Sequence, residues 1–119
     1  RPGMSARDTQ ELIRTAVERF TEQVPALKPL TLVIRLELRA RGDAPIWRVE
    51  VPGPKIAKDP AGDARLDVSI ARPDFNKLAE ATLKEWAAAY ERGQVRVTGD
   101  AAVIKLLGNV VQRQLARVR

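Results

Sequence analysis

Cysteine and histidine are both absent from this chain of 119 residues, and the two absences exclude whole classes of chemistry. Without cysteine there is no disulfide framework, no thiolate nucleophile, no iron–sulfur cluster and no Cys-built zinc site. Without histidine there is no Ser-His-Asp triad, no imidazole base near neutral pH and no His-ligated metal. Aromatic residues are scarce, with two Phe, two Trp and one Tyr, which leaves no stacking platform of the kind that reads single-stranded nucleic acid. Apolar runs last only a few residues, far short of the roughly 20 that cross a bilayer, and nothing resembles a secretory signal. The expectation is a soluble, cytoplasmic domain.

Ordinary globular composition fills the rest, at 45% hydrophobic and 30% charged residues. One core and one domain follow from the length. Residues 1–7 are expected to be disordered or a cloning remnant, since Arg1 to Ser5 carry no periodicity and Met4 would serve as a natural start; residues 8–119 form the domain. The net charge is +6, and its distribution is uneven. Residues 101–119 contain Lys105, Arg113, Arg117 and Arg119 and no acid, so this segment suits an anionic surface, or simply a solvated helix face.

Asp8 followed by Glu11 resembles a capping box, and Leu12, Ile13, Ala16, Val17, Phe20 and Val24 recur at helical spacing up to Pro25. From Leu30 the period becomes two. Leu32, Ile34, Leu36 and Leu38 share one face of a strand, and Trp47, Val49 and Val51 share one face of a second, antiparallel to the first across the turn Arg41 to Pro45. Pro52-Gly53-Pro54 ends that strand, and Lys55-Ile56-Ala57 leaves room for a short third. Leu66, Val68 and Ile70 alternate in another, and Val95 and Val97 in a last one. Between these two, Pro73 opens a helix with Phe75, Leu78, Ala79 and Leu83 on its apolar face, and a second helix carries Trp86, Ala89 and Tyr90 to Gly93. After Gly99-Asp100 a final helix presents Val103, Ile104, Leu107, Val110, Val111, Leu115 and Val118 as an apolar stripe. The order implies an α+β fold, with an antiparallel or mixed sheet whose single apolar face is covered by the helices.

Three segments in this order resemble the sterol carrier protein 2 domains: Trp47-Arg48-Val49-Glu50-Val51 with Pro52-Gly53-Pro54, the strand 64–70 running into Asp74-Phe75 and Leu78, and Gly93 to Asp100 before the last helix. The resemblance covers about residues 8 to 115. Thr82 stands where that family often has Gly, and Ala71-Arg72 replaces its frequent Ser or Asp cap. What the resemblance implies is an α+β domain, with a mostly antiparallel sheet of five strands covered on one face and enclosing an apolar cavity. Such a domain is not an enzyme and needs no cofactor or metal. It binds or transfers a fatty acyl chain, phospholipid, acyl-CoA or sterol-like molecule, or presents one to a larger enzyme. Leu36, Trp47, Phe75, Leu78, Leu83, Trp86, Tyr90, Ile104, Leu107 and Val111 are then candidates for the lipid site, though the same residues would serve an ordinary core. Trp86 and Tyr90, four apart on one helix face, suit a cavity mouth. Lys105, Arg113 and Arg117 are candidates for transient contact with anionic membranes.

Competing motifs are weaker. Arg41-Gly42-Asp43 spells an integrin tripeptide but is ordinary turn vocabulary. Lys55 to Lys58 lacks the spacing of a phosphate-binding loop. The sequence pI near 10.3 favours nucleic acid only at the C-terminal helix, and no zinc-finger or RNP-like signature accompanies it, so no nucleic-acid partner is expected. No acid pair lies at an apolar position where burial would tune it for catalysis.

Overall fold

The computed structural model describes residues 6–42 and 44–117. Arg1 to Ser5, Asp43 of the tripeptide turn, Val118 of the expected stripe and Arg119 lie outside the described residues. Helix α1 (Ala6–Gln23) leads through a single 3-10 turn at Pro25–Leu27 to strand β1 (Leu32–Arg39). Strands β2 (Ile46–Val51), β3 (Lys55–Lys58) and β4 (Leu66–Ala71) follow, then helices α2 (Arg72–Leu78) and α3 (Leu83–Glu91), strand β5 (Val95–Gly99) and helix α4 (Ala101–Arg117).

The strand order is β3-β2-β1-β4-β5, and the sheet is mixed. β1 pairs antiparallel with β2 but parallel with β4, while β2–β3 and β4–β5 are antiparallel. The expected antiparallel majority therefore holds at three of four junctions, and the parallel one follows from the long connection between β3 and β4 returning across the sheet. That connection is held to β2 by Arg48, which forks onto Asp63 through Nε at 3.2 Å and Nη2 at 2.8 Å. The same contact draws the Asp63 carboxyl below its ordinary range, since its ionised form accepts both bonds.

Two boundaries differ from the sequence expectation. Helix α1 begins at Ala6, ahead of Asp8, which lies in its first turn and suits its positive end. Leu83 does not continue the helix from Pro73; the chain breaks after Leu78, and Leu83 opens α3. Thr82 is the reason: its hydroxyl accepts from the Glu85 N–H at 3.3 Å while the Glu85 carboxylate accepts from the Thr82 N–H at 3.1 Å. This reciprocal cap starts a new helix where the apolar spacing alone reads as one.

Every helix packs on the same sheet face. Leu36, Leu38, Trp47, Val49, Ile56, Ile70 and Val95 of the sheet join Ile13 and Ala16 of α1, Phe75 and Leu78 of α2 and Ala89 of α3 in one buried cluster. Leu32, Leu66 and Val103 of α4 form a second. The other face carries Arg35, Glu37, Arg48, Glu50, Asp67 and Ser69, half-buried, with Arg96 and Thr98 exposed. No helix among the described residues is long and apolar enough to cross a membrane.

Candidate lipid-binding band

The two clusters do not merge. Ile34, Val51, Val68 and Val97 point to the helical side of the sheet and touch both clusters, yet all four remain half-buried. Register places them in a line. Val68 is directly opposite Val97, and Ile34 is one diagonal step from Val68 and from Val51. On one side of this band Leu38, Ile70 and Val95 are sealed under α2 and α3; on the other, Leu32 and Leu66 are sealed under α4. The centre of a sheet face covered by helices is ordinarily its most deeply buried part. Here a diagonal strip beside the buried Leu36 and Val49 stays half-buried between the covering helices.

The walls differ in how firmly they are held. On the α1 side, Gln10 donates to the Ile56 carbonyl at 2.8 Å, Arg14 to that of Pro54 at 3.1 Å and Arg19 to that of Glu80 at 2.9 Å. Arg72 adds a bond to the buried Thr9 hydroxyl at 2.9 Å. Helix α4 is anchored at its first turn. Asp100 accepts from the N–H groups of Ala102 (2.9 Å) and Val103 (3.3 Å) and from Arg65 Nη2 (2.7 Å), which holds its carboxyl below the usual carboxylate range, the Arg65 bond contributing most. Beyond that turn the apolar residues Ile104, Leu107, Val110, Val111 and Leu115 are only half-buried, and Val103 is the sole buried residue of α4 among those described. Outside, α4 and the segment 26–30 border an open apolar pocket of about 250 Å³ lined by Ala26, Leu27, Pro29, Leu30, Leu106 and Val110.

The residues singled out from sequence fall into three groups. Leu36, Trp47, Phe75, Leu78 and Leu83 are buried in the sheet and around α2 and α3. Ile104, Leu107 and Val111 stand half-buried on α4, and the first two pack on the second cluster beside the band. Trp86 and Tyr90 are separated by function of place: the Trp86 ring packs edge-on between Phe20 (5.9 Å) and Phe75 (6.5 Å), whereas Tyr90 is 53% exposed. Lys105, Arg113 and Arg117 are all exposed along α4. None of the candidates lines the outer pocket. The four floor residues of the band were not singled out, although each was placed on an apolar strand face; their exposure depends on where the helices land.

The open mixed sheet of five strands with helices on one face is the sterol carrier protein 2 fold. Its solved likenesses include palmitated SCP2L2 from Aedes aegypti, with a TM-score of 0.56 and 20% identity over 83% of this chain and 93% of that one. The sterol carrier protein domain 2 of Helicoverpa armigera aligns with a TM-score of 0.56 and 13% identity, over 94% of this chain and 89% of its own. UbiJ-SCP2, a ubiquinone synthesis protein, aligns with a TM-score of 0.51 and 20% identity over 87% and 97% of the two chains. No protein-family model matches the sequence, and neither does any curated protein.

Proposed function

We propose that the chain binds one lipid, without catalysing a reaction on it, along the band Val51–Ile34–Val68–Val97 between the sheet and α4. The observation that carries this reading is the half-buried strip of the sheet face between two separately sealed clusters. Burial of a long acyl chain there is driven by about 25 cal/mol per Å² of apolar area, with little demand for shape, so several lipid classes would compete. The likeness to a palmitated carrier domain supports the same direction. Against catalysis stands the use of the shifted carboxylates: Asp63, Glu85 and Asp100 are each committed to an ion pair or a helix cap.

Exchange would take place at membranes of the cytoplasm. Leu106, Val110, Arg113 and Arg117 follow one ridge of α4 by helical spacing, and Leu106 is 47% exposed, so apolar and basic groups meet a bilayer together. Displacement of a fluorescent fatty acid by lysophospholipid and by unlabelled fatty acid tests the binding. Saturable competition is expected; no saturable binding of any probe would overturn the reading.

A second reading is favoured by the likeness to UbiJ-SCP2 and by the charged sheet face, which carries no helix among the described residues. In it the domain holds its lipid for an enzyme docked on that face. A lipid retained one-to-one that anionic vesicles fail to extract would favour this accessory role over the carrier one.

A further inference from the structure

Trp47 is 3% exposed, and its indole Nε1 has no hydrogen-bond partner among the described residues. Buried Trp N–H groups are ordinarily paired, because an unpaired donor loses its water and gains nothing in return. Leu or Phe would fill the same apolar face without that cost. The register then gives Trp47 a particular place: Lys58, Trp47, Leu36, Val68 and Val97 form one continuous cross-strand row over all five strands. Strand spacing of about 4.8 Å puts Trp47 roughly 10 Å from Val68, with the buried Leu36 between them, and the whole row spans about 19 Å, close to the length of a long acyl chain. Lys58 closes the row at the sheet edge, with its Nζ 5.7 Å from the centre of the Trp47 ring. One end of the row is therefore apolar and half-open, and the other holds an unpaired donor with a cation beside it.

We propose that the Trp47 indole N–H is the polar anchor of the lipid site, donating to a carbonyl or carboxylate oxygen of a lipid whose chain passes Leu36 to join the half-buried band at Val68 and Val97. Lys58 then favours a carboxylate over a neutral carbonyl at the same position. This deepens the lipid-binding reading and rests on it: it narrows the ligand class from any long apolar molecule to acyl lipids with an oxygen acceptor at one end of the chain. The cluster around Trp47, to which Leu36 and Ile13 and Ala16 of α1 belong, must open slightly for the oxygen to reach Nε1.

The two indole N–H groups of the chain, Trp47 and Trp86, give separate ¹⁵N–¹H signals, which Trp86→Phe assigns. Hexadecanoic acid, its methyl ester and hexadecane are each delivered from cyclodextrin to the full chain. The expected result is a downfield shift of the Trp47 indole proton with the acid and the ester and none with hexadecane. Trp47→Phe should weaken binding of the acid and ester about three- to tenfold, the worth of one hydrogen bond, and leave hexadecane unaffected. If backbone amides of Ile34, Val68 and Val97 respond to the acid while the Trp47 indole stays put, the lipid binds without this anchor and the proposal is wrong. If no amide responds to any of the three probes, the lipid-binding reading fails and the proposal with it.

Discussion

Gly99 and Asp100 show how much one dipeptide positions. Gly99 has φ +123°, and a Cβ there would stand 2.6 Å from the Arg65 carbonyl oxygen and 3.2 Å from Leu66 Cα, both backbone atoms of the neighbouring strand region. Gly99→Ala is expected to destabilise the fold by upwards of 1 kcal/mol, read as a lower urea midpoint at unchanged slope. Asp100 makes a pH prediction. Its carboxyl is depressed in the folded chain by Arg65 and the α4 amides, so the stability it contributes is fully present above its unfolded pKa of about 3.9 and is lost as pH falls through the lower folded value. Asp100→Asn should therefore differ from the parent in urea midpoint between pH 5 and 7, and the difference should shrink as pH falls below 3.8; a difference constant with pH would mean that the ionised carboxylate's contacts to Arg65 and the α4 amides are inert. Trp86 and Tyr90 separate equally sharply. Loss of the two edge-on ring contacts predicts that Trp86→Ala costs roughly 2 kcal/mol of stability, against under about 0.5 kcal/mol for Tyr90→Ala. Helical spacing puts these two on one face; it does not say that Phe20 and Phe75 will close around only one of them.

At the scale of elements, periodicity located four of the five strands and the two long helices, because each buries one face and the apolar residues must recur at its period, while the short β3 was legible only as room left in a loop. Leu83 is the instructive exception. Its spacing from Phe75 and Leu78 fits one helix, but the Thr82–Glu85 capping box decides the matter locally, and the T-x-x-E pattern was there to be read. The parallel β1–β4 pairing is of another kind, fixed by a contact between segments about thirty residues apart that no local pattern encodes. Helix α4 combines a tethered first turn with a half-buried body, so under the proposed reading it is the wall expected to give way to a lipid entering the band. Reversing Arg113 and Arg117 to Glu should leave affinity in solution nearly unchanged and slow transfer to anionic vesicles. The slowing should fade at high salt, where charges more than about 3 Å apart are screened at 1 M. Transfer indifferent to both changes would reduce the basic ridge to a solvated helix face.

For the whole molecule, the decisive feature is an arrangement rather than a residue. Ile34, Val51, Val68 and Val97 are unremarkable strand residues, and they become a candidate site only because α2 and α3 cover one end of the sheet and α4 the other. That is why the sequence indicated the apolar face but named mostly helix residues and sealed core residues for the site. Filling the band should abolish binding while sparing the fold. Val68→Phe is expected to lower fatty-acid affinity by tenfold or more, about 1.4 kcal/mol, with a urea midpoint close to the parent's, because Val68 is only half-buried and the added ring can extend along the band. The most direct test is an NMR measurement of intermolecular NOEs between the chain protons of ¹³C-labelled palmitate and the methyl groups of the protein. Lipid bound as proposed gives contacts to the methyls of Ile34, Val51, Val68 and Val97 together with Ile104 and Leu107 of α4. Contacts confined to Leu27, Leu30, Leu106 and Val110 would place the lipid in the outer pocket and contradict the account.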